Sequence, residues 1–238
     1  MSRRSFFLLP VFFLSTLAYG QGDSLKKINI LFVGNSLTYV NDIPSLIKEL
    51  GKQDGKTITY TSFLFPDYSL EDHWNEGKVK AEIEKGRYDF VVVQQGPSAL
   101  PESQVLLLDY TKRFAEICDK NKSKLALYMV WPSKARSFDL DNVISSYRKA
   151  AEKTSSLLCP AGLAWKYAWQ LDSALSLYSE DNFHPSFIGS VLSAITIYGA
   201  LTGIKDFNFI LTNHMWKDEI GEARLQILLE GVKRAIYR

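Results

Sequence analysis

Ile28-Asn29-Ile30-Leu31-Phe32-Val33-Gly34-Asn35-Ser36-Leu37-Thr38 is the stretch whose reading decides the fold. Residues 28–33 form a short, nearly continuous apolar run, and Gly34 permits a tight backbone where the run ends. A strand that is apolar throughout, rather than at every second residue, is buried on both faces. That is the pattern of a parallel sheet covered by helices. In such a sheet ligands bind beyond the carboxyl ends of the strands, so the polar residues directly after the run stand where chemistry would be done.

The same alternation continues outward. Strand-like runs are expected at 57–65, 88–93, 124–131 (closed by Pro132) and 156–159. Helical periods fall between and after them, at 43–50, 70–84, 104–119, 143–153, 187–201 and 219–237. Five strands interleaved with helices predict an α/β fold, a three-layer α/β/α sandwich with a parallel five-stranded, flavodoxin-like sheet and right-handed crossovers. No internal repeat or linker interrupts residues 28–238, which read as one domain.

The chain has 238 residues, 46% hydrophobic and 13% aromatic, which excludes a disordered chain. Residues 1–20 open with Arg3 and Arg4, continue as an apolar centre and end in the small residues Ala18 and Gly20, as a secretory signal peptide does. Its apolar centre, residues 6–17, falls short of the roughly 20 residues that a membrane-spanning helix needs. Cleavage is expected before Gln21, leaving residues 21–27 as an N-terminal extension and placing the protein in the secreted or periplasmic space, without stable membrane insertion. Losing Arg3 and Arg4 takes the 28 basic residues to 26, equal to the 26 acidic ones. A balanced chain is not a general nucleic-acid or anionic-membrane binder. Cys118 and Cys159 sit among apolar neighbours and are expected to be buried free thiols. With no His or second Cys at ligand spacing, no metal and no cofactor is expected. A monomer is expected.

Polar residues follow each run: Asn35 and Ser36 after the first, Pro66-Asp67-Tyr68-Ser69 after the second, Gln94-Gln95-Gly96 after the third. A serine after a strand commonly caps a helix. As a nucleophile it needs a base, and the chain holds three histidines, His73, His184 and His214. His184 has Asp181 three residues before it, so the carboxylate can fold onto Nδ1 and leave Nε2 for the serine. His73, in Glu71-Asp72-His73-Trp74, either packs on Trp74 at the helix surface or contacts substrate and supports the loop before it. His214, beside Trp216, reads as structural.

Taken together, these blocks resemble the SGNH (GDSL-type) hydrolases, a superfamily of serine esterases, over residues 28 to about 201. Gly34-Asn35-Ser36-Leu37-Thr38 resembles the nucleophile block, with Asn35 where the family usually has Asp. Asp181-x-x-His184-Pro185 resembles the terminal block. The resemblance implies Ser36 as nucleophile, His184 as base and Asp181 as its acid partner. The middle blocks depart from the family. The second lacks the glycine whose N–H enters the oxyanion hole, so Asp67 or Tyr68 must donate instead, and Pro66 cannot. The third has Gln94-Gln95-Gly96 in place of Gly-x-Asn-Asp. The expected oxyanion hole is therefore the Ser36 N–H, the Tyr68 N–H and the Gln94 amide, with Gln95 turned to the other face by strand alternation. Asn35, Asp67, Gln95, His73 and Trp131 are expected to contact substrate. The literal Gly22-Asp23-Ser24-Leu25 follows the cleavage site with no strand before it and is assigned no role.

Residues 159–165 resemble the strand and aromatic turn of some carbohydrate-directed branches. With secretion and the aromatics Tyr68, Trp74, Trp131 and Trp165 near expected rim loops, this points to O-acetyl groups on carbohydrates as substrate. The alternatives are a lysophospholipase or short-chain lipid esterase, and a catalytically impaired glycan-binding module of the same fold.

Overall fold

Five parallel strands carry the architecture of the computed structural model, which describes residues 27–237. The expected leader, nearly all of the extension and the Ser24 motif lie outside the described residues. The strands are β1 (Lys27–Gly34), β2 (Thr57–Leu64), β3 (Phe90–Val93), β4 (Lys124–Tyr128) and β5 (Leu157–Cys159), in the order β2-β1-β3-β4-β5. Register follows the apolar runs: Ile30 pairs with Phe90 and Val33 with Val93, and Val91 pairs with Leu125. All four residues of β3 are buried, as its position inside the sheet requires.

The helices are α1 (Ser36–Tyr39), α2 (Ile43–Gln53), α3 (Leu70–Glu76), α4 (Lys78–Ile83), α5 (Pro101–Lys120), α6 (Leu140–Thr154), α7 (Ala161–Leu171), α8 (Phe187–Thr202), α9 (Asn208–Thr212), α10 (Lys217–Ile220) and α11 (Glu222–Tyr237). The chain steps one way along the sheet through α2 and the other way through α5 and α6. Right-handed crossovers therefore put these connections on opposite faces. Accordingly α2, α7, α8 and α11 pack as one layer, and α3, α4, α5 and α6 as the other. The direction of winding reverses between β1 and β3, and a crevice opens beyond their carboxyl ends, at Asn35 and Gln95.

Several elements differ from expectation; the helix expected at 219–237, for one, is divided at Gly221 (φ 83°) into α10 and α11, and the strand expected at 124–131 ends at Tyr128. The helix expected at 70–84 breaks at Gly77, whose φ of 80° only glycine takes without strain, and becomes α3 and α4. Residues 161–171, part of the expected aromatic turn, form α7, whose Gly162 lies against the Val130 carbonyl where a Cβ would come within 2.1 Å. Cys118 and Cys159 are buried free thiols, and burial pushes Cys118 up to about 12, so it stays protonated. No helix among the described residues is long and apolar enough to cross a membrane.

Candidate active site

The turn after β1 is built around Asn35. Its backbone is extended (φ −134°) and its Oδ1 accepts from the Leu37 N–H at 3.1 Å, so Asn35 is the N-cap of α1. Ser36 is thereby released from capping. Its side chain is half-buried, and its hydroxyl has no hydrogen-bond partner among the described residues. Gly34 serves close approach here: a Cβ would lie 2.6 Å from Gln94 Oε1. That oxygen accepts from the Asn35 N–H and the Thr38 hydroxyl, both at 2.9 Å, while Gln94 Nε2 donates to the Gln95 carbonyl at 2.8 Å.

This corrects the oxyanion role expected for Gln94. Its N–H still pairs with the Val33 carbonyl, so the side chain stays beneath the β1 turn and its amide is engaged there. Gln95, expected on the other face, lines the cleft instead. Its Oε1 takes the Leu70 N–H and its Nε2 points to Ser98 Oγ.

The second turn, Phe65–Tyr68, closes through the Tyr68 N–H to the Phe65 carbonyl at 3.4 Å. Pro66 takes its second position and Asp67, at φ 61°, its third, the pattern of a type II turn. The Tyr68 N–H expected in the oxyanion hole is thus occupied. The Asp67 N–H, like that of Ser36, has no acceptor among the described residues. Asn35 Nδ2 donates to the Tyr68 carbonyl at 2.9 Å and locks the two turns together.

The third segment carries Asp181 and His184. Asp181 Oδ2 lies 2.5 Å from His184 Nδ1, and Oδ1 accepts the Phe183 and His184 N–H groups and the Ser179 hydroxyl. A carboxylate at Nδ1 requires the ring proton there, which leaves Nε2 as the basic atom. The His184 ring, with the Phe183 N–H and Ser179 hydroxyl, holds the Asp181 carboxyl well below the usual carboxylate range. The loop is pinned from several sides: Lys134 N–H to Asn182 carbonyl, Trp131 Nε1 to Phe183 carbonyl, and an antiparallel bridge between Tyr178 and Pro185. Asn41, three residues beyond Thr38 and unremarked in the sequence, donates Nδ2 to the carbonyl of Pro185 at 3.1 Å, joining the serine turn to the histidine loop.

Between these segments opens a cleft of about 480 Å³, with Asn35, Asp67 and Tyr68 on one side, Phe183 on another, and Leu100 and Leu106 forming an apolar wall. Arg136 stands at its edge in an ion pair with Asp139, whose carboxylate is buried; no spacing in the sequence flagged either. Two expected substrate contacts lie elsewhere. Trp131 is fully buried, its ring stacked on Trp165 with centroids 3.4 Å apart, because the chain beyond β4 continues inside the core rather than emerging at the rim. Trp74 likewise packs edge-on against Phe114. His73 is neither on the surface nor in the cleft: α3 turns it inward, against the Phe65 and Tyr68 rings, with Nε2 2.9 Å from the Gly34 carbonyl. Burial pushes its pKa below the ordinary histidine value.

No protein-family model matches the chain, and no curated protein matches it in sequence. Solved structures do match. A DUF4886 family protein from Bacteroides uniformis superposes with a TM-score of 0.70 at 17% identity, covering 88% of this chain and 95% of that one. A protein from Slackia heliotrinireducens described as a candidate SGNH hydrolase gives 0.62 at 22% identity, covering 74% and 99%. A catalytic mutant of an acetylxylan esterase from Geobacillus stearothermophilus gives 0.53 at 16%, covering 74% and 94%. The chain has the SGNH (GDSL-type) hydrolase fold.

Against the SGNH blocks, each departure has a local cause. Asn35 stands in the place of Asp because the Tyr68 carbonyl needs a donor as well as the helix an acceptor. Asp67 supplies the left-handed conformation that a glycine would take freely, as Asp and Asn tolerate better than other side chains. Gln94, one methylene longer than Asn, reaches back under the turn to the Asn35 N–H.

Proposed function

We propose that the protein is a serine esterase, acting outside the cytoplasm on O-acyl groups, foremost acetyl, carried by carbohydrates. The observation that carries the reading is the uncommitted Ser36 hydroxyl, freed from capping by Asn35, on a turn joined to a loop whose histidine is already oriented by a carboxylate. Ser36 Oγ attacks the ester carbonyl as His184 Nε2 takes its proton, and Asp181 stabilises the imidazolium. The Ser36 and Asp67 N–H groups receive the negative charge on the carbonyl oxygen. His184 returns the proton to the leaving alcohol. Water then attacks the acyl-enzyme by the same route, releasing the acid and restoring Ser36. The fold shared with an acetylxylan esterase supports the carbohydrate, and the cleft lined by Asn35 and Phe183, the chain neighbours of Ser36 and His184, has the volume of a small-ligand site.

Leu100 and Leu106, exposed along the cleft, favour a second reading in which the acyl group is a lipid chain. Hydrolysis of 4-nitrophenyl acetate, acetylated xylan and a lysophospholipid by wild type and Ser36→Ala separates the cases. Release of acetate from xylan, lost in Ser36→Ala, is the expected result. Preference for the lysolipid supports the second reading, and absence of turnover on all three esters leaves a binding module.

A further inference from the structure

One peptide group, between Gly34 and Asn35, is gripped at both ends by side chains from outside its own turn. Its carbonyl oxygen lies 2.9 Å from Nε2 of His73 on α3, and its N–H donates to Oε1 of Gln94, beyond β3, also at 2.9 Å. Both side chains are buried, at 0% and 1% exposure. A carbonyl oxygen accepts only from a protonated nitrogen, so the His73 proton sits on Nε2 and Nδ1 keeps a bare lone pair. That Nδ1 is buried with no hydrogen-bond partner among the described residues. An unpartnered buried acceptor is destabilising. A phenylalanine would fill the same space beside Phe65 and Tyr68 without it. The cost of the bare Nδ1 offsets the gain of the Nε2–H bond, so the ring adds little to stability, and its hydrogen bond among the described residues goes to the carbonyl next to Asn35 and Ser36.

We propose that His73 and Gln94 are positioning residues that together fix the plane of the Gly34–Asn35 peptide, and through it the Ser36 hydroxyl and the paired Ser36 and Asp67 N–H donors. The proposal rests on the reading of Ser36 as nucleophile. The coupling is direct: Asn35, whose N–H the clamp holds, caps α1 with one side-chain atom and holds the Tyr68 carbonyl with the other. Tilting this peptide would move the nucleophile turn and the Asp67 turn together. Both side chains act on this one peptide, whose carbonyl also accepts the Phe65 N–H at 3.1 Å, so their losses should not multiply.

The test uses His73→Phe, His73→Gln, Gln94→Met and the double variant His73→Phe/Gln94→Met, with 4-nitrophenyl acetate as probe and amide hydrogen exchange at Asn35 as a readout independent of turnover. A small misplacement of reacting groups lowers rate steeply, so each of His73→Phe and Gln94→Met should lower kcat by about 10- to 100-fold. KM should stay within about twofold, the mark of an interaction realised in the transition state. His73→Phe should keep its Tm, His73→Gln should recover part of the rate through its amide donor, and the double variant should be little worse than the poorer single one. Asn35 should exchange faster in every clamp variant, and the ring ¹⁵N shifts of His73 should report the Nε2–H tautomer. Wild-type kcat in His73→Phe, losses that multiply, or unchanged Asn35 exchange overturns the clamp while leaving Ser36→Ala inactive. Full turnover in Ser36→Ala overturns the nucleophile assignment instead, and the positioning role with it.

Discussion

Replacing Asn35 by Asp would restore the residue usual at this place in SGNH hydrolases, and the structure says it should do harm. The cap would survive, since a carboxylate oxygen accepts the Leu37 N–H as well as an amide oxygen does, and a negative charge at a helix start gains up to about 1 kcal/mol. What is lost is the Nδ2 donor, which now lies 2.9 Å from the Tyr68 carbonyl. An ionised carboxylate would set two acceptors against each other in a nearly buried place. Leaving a buried acceptor unsatisfied costs about 1–3 kcal/mol, so the net loss is about 1–2 kcal/mol. For a chain of this length that is a fall in Tm of about 2–8 °C. The turn at Asp67 loses its tether to the serine turn, so kcat should fall about 10- to 100-fold.

The sign of the pH dependence discriminates further. Facing a carbonyl, the introduced carboxyl is better off protonated, so its folded pKa is raised. Asn35→Asp should therefore match wild type in stability below its unfolded pKa, about 4, and lose stability as pH rises through the raised value. Urea melts from pH 4 to 8, with kcat for 4-nitrophenyl acetate over the range where wild type is active, measure both effects. Equal Tm and equal kcat at pH 8 would refute the account of why Asn replaces Asp.

Asp181→Asn should leave the loop folded but remove the group that fixes the His184 tautomer, lowering kcat by about 10⁴-fold with little change in KM. Gly189→Ala would place a Cβ 2.2 Å from the Leu177 carbonyl, a backbone atom that cannot step aside, and thermal melts should show a drop of several degrees, about 1–3 kcal/mol. Glu82, held down to about 2 by Lys85, then Tyr88 and Arg87, contributes stability that is present above its unfolded pKa and lost as pH falls toward 2. Melts of Glu82→Gln should accordingly show a deficit at pH 7 that closes near pH 2.

The sheet was legible because a strand buried on both faces must be apolar throughout, and residues 28–33 and 88–93 say so without help from their neighbours. The contact between Asp181 and His184 was legible for a related reason: three residues of separation leave the carboxylate few other places to go. The middle of the site was not, because there the deciding partners are distant in sequence. Whether Gln94 faces an oxyanion or the Asn35 N–H depends on the absence of a side chain at Gly34, 60 residues earlier. Alternation implied that one glutamine faces the rim, yet which one depended on a ladder bond to Val33. Trp131 read as a rim aromatic because Pro132 follows it, but the chain from 129 to 131 stays in the core. The left-handed Asp67 was the one departure with a readable sign, since Pro-Asp between two elements favours a turn of this kind.

The stacked indoles of Trp131 and Trp165 give the molecule an optical property of its own. Two such chromophores, 11° from parallel and wholly shielded from water, sit in a fixed, asymmetric environment, the condition for a near-ultraviolet circular dichroism signal from the indoles. One member also donates its Nε1–H to the carbonyl of Phe183, next to His184. A shift of the histidine loop would alter the environment of the pair, so any displacement of that loop would register in the same spectrum of the unlabelled protein.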